Sequence, residues 1–155
     1  MCNSINGIRQ GYWHLKPILP NLKRLIYFSP NENYSISKNS LSLLSPSEGE
    51  LSTMFYFRDA EGMNIVDIES SKKGCGYGTK LLNKFLQIFN DCKISVTATY
   101  DRNAFPVPPH KFYMKNGFIP IDKNAEIAIK DWISRGGNIK DFPHKYDSCL
   151  MVRNA

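Results

Sequence analysis

Residues 72–82 read KKGCGYGTKLL, with glycines at every second position from 74 to 78 and an apolar run directly behind them. Glycines gather like this where the chain needs positive φ, or where side chains must stay clear of something approaching the backbone. The continuation predicts a helix. Leu81, Leu82, Phe85, Leu86 and Phe89 share one face, with Lys80, Asn83, Lys84, Gln87 and Asn90 on the other. The first N–H groups of such a helix have no internal acceptor, and its macrodipole adds partial positive charge there. A glycine turn opening a helix is thus the general layout of a phosphate site, and Lys72 and Lys73 add full charges beside it. The bland alternative is a tight strand-to-helix turn.

Two familiar phosphate motifs do not fit. A P-loop needs a Gly-Lys-Ser/Thr ending, whereas Gly78, Thr79 and Lys80 have the wrong order. The dinucleotide fingerprint needs G-x-G-x-x-G, and here the spacing is G-x-G-x-G.

Before the loop, residues 51–70 (LSTMFYFRDAEGMNIVDIES) read as two strands joined at 59–62, where acidic residues and Gly62 make a turn. After the helix, Ile94, Val96, Ala98 and Tyr100 alternate with Ser95, Thr97 and Thr99, which is the pattern of a half-buried strand. FPVPP at 105–109 breaks regularity, with Pro109 suited to the first turn of a short helix, HKFYMKN, closed by Gly117. FIPI (118–121) reads as a strand. Ala125, Ala128, Ile129, Trp132 and Ile133 define another helix, ended by Gly136 and Gly137, and CLMVR (149–153) closes the chain as a strand.

The first third is less patterned. Leu19, Leu22, Leu25 and Ile26 share a helical stripe, GYWHL (11–15) reads as a strand, and 29–50 reads as loops around a short strand at 34–36. The whole order predicts an α/β (α+β) chain of one domain, 1–155, with its signature region at 63–153.

At 155 residues, 42% hydrophobic and 22% charged, the composition is that of an ordinary soluble domain. No run of about 18 apolar residues suggests a membrane span. The N-terminus lacks the layout of a signal peptide, so a cytoplasmic location is the expectation. Cys2, Cys75, Cys92 and Cys149 are scattered, without metal-ligand spacing to His14, His110 or His144. No metal site and no disulfide framework are expected. Twenty Lys+Arg against 14 Asp+Glu give a net charge of +6, which favours anionic partners.

Together, KGCGYGTKLL (73–82) and KFYMKNGF (111–118), with a strand between them, resemble the GNAT family of acetyl-CoA-dependent N-acetyltransferases. Lys73 stands at the Q/R position of that family's Q/R-x-x-G-x-G/A loop, with Gly76 and Gly78 as its glycines. The second segment resembles F-Y-x-K-x-G-F, and CLMVR resembles the family's last strand. The resemblance implies a central, mixed, mostly antiparallel twisted sheet flanked by helices. It implies a splayed strand pair, 65–70 and 94–100, that holds the cofactor.

It also implies a set of roles. Backbone N–H groups of Gly74, Cys75, Gly76, Tyr77, Gly78 and Thr79, with Lys73, would hold the pyrophosphate of acetyl-CoA. The strand end Ile68, Glu69 and Ser70 would meet the pantetheine arm and the acetyl carbonyl. Tyr113 would protonate the departing sulfur, since a phenol of pKa about 10 carries its proton at neutral pH. Glu69 would take the amine's proton, directly or through water. Lys115 and Asn103 are further candidate cofactor ligands, although Asn103 stands further before Tyr113 than the family's asparagine, across the prolines.

Each role has a plainer reading. Tyr113 could pack beside Phe112, Glu69 could be a solvated strand-end carboxylate, and Lys115 could cap its helix. His110 and His144 read as surface residues, and Cys75 lacks a neighbouring base. Trp13, Trp132 and Phe55, Tyr56 and Phe57 read as core or sheet-face packing. The expected function is transfer of acetyl from acetyl-CoA to an amine on a small molecule or a protein. A non-enzymatic CoA-binding module is the alternative, and a basic nucleic-acid binder ranks third.

Overall fold

The structure is a computed structural model that describes residues 25–29 and 32–155, with side chains from residue 33 onward. The chain divides into two compact units, one running to Cys92 and the other from Lys93 to Asn154.

In the first unit, β1 (Leu25–Ser29), β2 (Glu32–Ile36), β3 (Ser40–Ser45), β4 (Gly49–Arg58) and β5 (Met63–Ser70) pair in chain order as an antiparallel meander. Helix α1 (Tyr77–Ile88) comes next. Leu81, Leu82 and Phe85 are fully buried on α1, as their spacing predicts, and Leu41, Leu43, Met54 and Tyr56 of the sheet are buried too. Tyr56 joins helix to sheet in an aromatic cluster, its ring 5.0 Å from Phe85 and 5.6 Å from Phe89. The Tyr56 hydroxyl donates to the Ser37 carbonyl at 2.7 Å, and burial pushes the phenol up to about 12.

The first third departs from expectation. Leu25 and Ile26 belong to β1, not to a helix, while Leu19, Leu22, Trp13 and the GYWHL segment lie outside the described residues. Residues 29–50 are not loops around one strand but contain β2, β3 and the start of β4. The serines that read as loop composition are strand residues here. Ser35 faces Ser42, which faces Thr53, and Ser42 and Thr53 share a hydroxyl hydrogen bond of 2.9 Å. The turn at 59–62 is as expected, with the Asp59 carboxylate accepting from the Glu61 and Gly62 N–H groups. Phe55 and Phe57 are 40% and 46% exposed, so only Tyr56 of that trio belongs to the core.

In the second unit, β6 (Ile94–Thr99) pairs with β8 (Ser148–Arg153), which pairs with β7 (Ile119–Pro120), all antiparallel. Ile94, Val96, Ala98 and Tyr100 are buried in the predicted alternation. Helix α2 (His110–Lys115) starts after Pro109, which is its N-cap rather than a first-turn residue. Helix α3 (Lys123–Ser134) buries Ala125, Ile129 and Trp132. Asp122 caps it by accepting from the Asn124 N–H at 2.8 Å.

Cys92 is buried and disulfide-bonded, although the scattered cysteines suggest no disulfide framework, and among the described residues Cys75 and Cys149 are free. Sequence spacing carries no pairing information for a single bond of this kind. Among the described residues no helix is long and apolar enough to cross a membrane, and no group of metal-ligating side chains gathers.

Candidate functional site

The glycine loop lies in the first unit and leaves β5 directly. Ser52 anchors the strand end: its hydroxyl donates to the Glu69 carbonyl at 2.6 Å and meets the Ser70 hydroxyl at 2.9 Å. Ser71 then bonds Leu51 through its N–H and its hydroxyl. Lys72 is not a spare charge, because it pairs with Glu48, a partner 24 residues back that no local motif announces.

Gly74 and Gly76 both adopt φ of +76°, the left-handed region that disfavours any side chain. A Cβ built on either would meet nothing within 4 Å, so the loop's outer surface is open. Gly76 is the N-cap of α1, without a side-chain capping bond, and the first turn carries no acidic residue. The opening N–H groups of a 12-residue helix therefore lie beside an exposed glycine turn. Gly78 serves another purpose: a Cβ there would lie 3.6 Å from Ser70 Oγ and 3.7 Å from Ile68 Cγ2. The first turn of α1 thus rests on the face of β5 that carries Ile68 and Ser70. Glu69 is exposed and, by strand alternation, points to the opposite face.

The hydrogen-bond phase of β5 fixes where its amides point. Ser71 donates to Leu51 at 2.9 Å, so by alternation the Glu69 N–H faces β4 while those of Ser70 and Ile68 face away from it. Sequence reasoning missed Asp67, whose carboxylate accepts from the Ile68 N–H at 2.7 Å. It also missed a cleft of about 220 Å³ beside the polar face of α1, lined by Tyr34, Lys80, Asn83, Lys84 and Gln87. Lys84 Nζ stands 5.3 Å above the Tyr34 ring there.

The second unit holds Tyr113, Lys115 and Asn103. Tyr113 is buried, edge-on to Phe112 at 5.2 Å and to Phe118 at 5.6 Å. Its carbonyl accepts from the Asn116 and Phe118 N–H groups, which winds the chain through Gly117 (φ +84°) and closes α2. Lys115 is exposed in the last turn of α2. Asn103 is exposed in the turn after β6, its N–H donating to the Asp101 carboxylate at 2.9 Å.

His110 is not at the surface. It is fully buried, its ring 4.8 Å from that of Phe142, and neither ring nitrogen has a hydrogen-bond partner. The Tyr146 backbone and Asp147 lie near enough to favour its charged form, without closing a bond of normal geometry. Burial outweighs both and lowers the ring's pKa to about 4. His144 is exposed, as expected. A polar side chain opening a short helix directly behind FPVPP reads as a surface residue. Its burial depends on Phe142, 32 positions away in the chain.

No protein-family model matches the sequence, and no curated protein matches it. Among solved structures, the chain is similar to the PaiA N-acetyltransferase of Thermoplasma acidophilum in complex with coenzyme A. The TM-score is 0.49 at 12% identity, over 75% of this chain and 60% of that one. It is also similar to N-acetylglutamate synthase of Neisseria gonorrhoeae complexed with coenzyme A and N-acetyl-glutamate, with TM-score 0.47, 18% identity, and 74% and 25% of the two chains. An acetyltransferase of the GNAT family from Staphylococcus aureus gives 0.48 at 17% identity, over 80% of this chain and 68% of that one. This chain therefore spans less than two thirds of the length of the first two.

Proposed function

We propose that the chain is an N-acetyltransferase that moves an acetyl group from acetyl-CoA to an amine of a small molecule or a protein. The observation that carries this reading is the loop at 73–79. Two left-handed glycines with open space above them lead into an uncapped helix N-terminus that has no acid in its first turn. Those features fit a pyrophosphate: N–H groups and dipole supply the attraction, and no side chain blocks the approach. Lys73 adds a full charge at the rim.

In this reading the β5 amides that face away from β4, those of Ser70 and of Ile68 once it is released from the Asp67 carboxylate, are the donors a thioester carbonyl would meet. Such donors matter because negative charge grows on that oxygen as the amine attacks. The amine nitrogen forms the C–N bond, the C–S bond breaks, and the sulfur leaves with the electron pair. Tyr113 supplies the proton to that sulfur, and Glu69, directly or through water, takes the proton lost by the amine. Acetyl-CoA supplies the activated acyl group, and the chain supplies position, hydrogen bonds and proton traffic.

Calorimetric titration with CoA and acetyl-CoA, alongside ATP and NAD, tests the cofactor. Selective binding of the two thioester-related ligands, lost in Gly76→Glu while the circular dichroism spectrum is retained, is the expected result. Absence of CoA binding at millimolar ligand refutes the reading. Tyr113→Phe then separates enzyme from passive binder. An enzyme that uses the phenol loses about 10²-fold or more in kcat with CoA affinity intact.

A further inference from the structure

Within the acetyltransferase reading, and resting on it, we propose that the Asp67 carboxylate is a built-in occupant of the acyl-carbonyl position. It holds the Ile68 N–H in the free protein, and an arriving thioester carbonyl displaces it. Asp67 is thereby a positioning residue that sets how strongly the protein prefers acyl-CoA over CoA.

The first support is a break in the strand. Phe55 faces Asp67, but its neighbour Tyr56 faces Ile65, which leaves Val66 as an extra residue, 60% exposed. A bulge of this kind bends the strand and re-aims the residues beyond it. In a regular strand a side chain stands perpendicular to the sheet while the next N–H lies in the sheet plane, so the two do not meet. Here they do, at 2.7 Å.

The second support is direction. The Ile68 N–H faces away from β4, so Asp67 caps an amide that β4 cannot use. Such an amide, immediately past a bulge, is the strand's readiest donor to a ligand. The third is chemistry. A carboxylate is a stronger acceptor than a neutral thioester carbonyl, so displacement costs binding energy. That cost falls only on a ligand that brings a carbonyl to this amide. CoA, with its free thiol, leaves Asp67 in place.

The test uses the full chain and isothermal titration with acetyl-CoA and with CoA, in the absence of any amine, for the wild type, Asp67→Ala and Asp67→Asn. Removing the competing acceptor in Asp67→Ala is expected to lower the Kd for acetyl-CoA about tenfold, the scale of one charge-assisted hydrogen bond at an exposed site. The Kd for CoA stays within about twofold, since that ligand never competes for the amide. Asp67→Asn keeps an acceptor oxygen without the charge and falls between. Asp67 is exposed, so neither substitution removes core packing. Equal changes for both ligands, or no change for either, overturn the proposal while leaving the acetyltransferase reading intact. Failure of the wild type to bind CoA at all overturns both.

Discussion

Lowering the pH should loosen the second unit through His110, and burial sets the size of the effect. The ring is fully enclosed with both nitrogens unpartnered. Its folded pKa of about 4 lies below the value of 6.5 it has when solvated. The neutral ring is therefore the form that folding favours, and below pH 6.5 the unfolded chain binds a proton that the folded chain refuses. The contribution is fully present above about pH 6.5 and is lost progressively as pH falls toward 4. Between pH 7.5 and 5 the difference amounts to about 2 kcal/mol, or roughly 4–8 °C in Tm for a chain of this size. The Tyr146 backbone and Asp147, which pairs with Arg102 at 2.9 Å, both favour the charged ring, so removing the Asp147 carboxylate would enlarge the effect.

The measurement is urea denaturation at pH 7.5 and pH 5 for the wild type and His110→Leu. Carboxylates titrate alike in both proteins and cancel in the comparison. His110→Leu replaces two unsatisfied polar atoms with an apolar side chain of similar size, so it should be at least as stable at pH 7.5. Its stability should fall by about 2 kcal/mol less on going to pH 5. Identical pH dependence in the two proteins, or a His110 pKa near 6.5 by NMR, would refute the reasoning.

Two glycines of the same loop should respond in opposite directions. Gly76→Ala forces a side chain into φ +76° and should cost about 1 kcal/mol, whereas Gly78→Ala, helical and in ordinary contact with Ser70 and Ile68, should gain up to about 1 kcal/mol. Thermal melts of the two variants check this, and changes of the same sign would sink it. Tyr56→Phe removes the 2.7 Å bond to the Ser37 carbonyl and should cost about 1 kcal/mol in urea denaturation. A neutral result there would mean that the hydroxyl gains nothing from its partner.

Periodicity in the sequence determined the parts of this protein whose physics is local. The face of α1 with Leu81, Leu82 and Phe85, the alternation from Ile94 to Tyr100, and the chain reversal at Gly117 depend only on neighbours a few residues apart. The glycine loop was legible for the same reason, since left-handed φ and an uncapped helix start are properties of residues 74–78 themselves.

Partners far along the chain decided the rest, and only the folded chain brings them together. Ser35 and Ser42 looked like loop serines until cross-strand pairing made them buried strand residues, with Ser42 bonded to Thr53. Lys72 looked like an added charge until Glu48 met it, and His110 looked like a surface residue until Phe142 enclosed it. Asp67 became the occupant of the Ile68 amide only through the bulge opposite Phe55 and Tyr56. Register is set by the pairing of whole strands, and no single strand's sequence contains it.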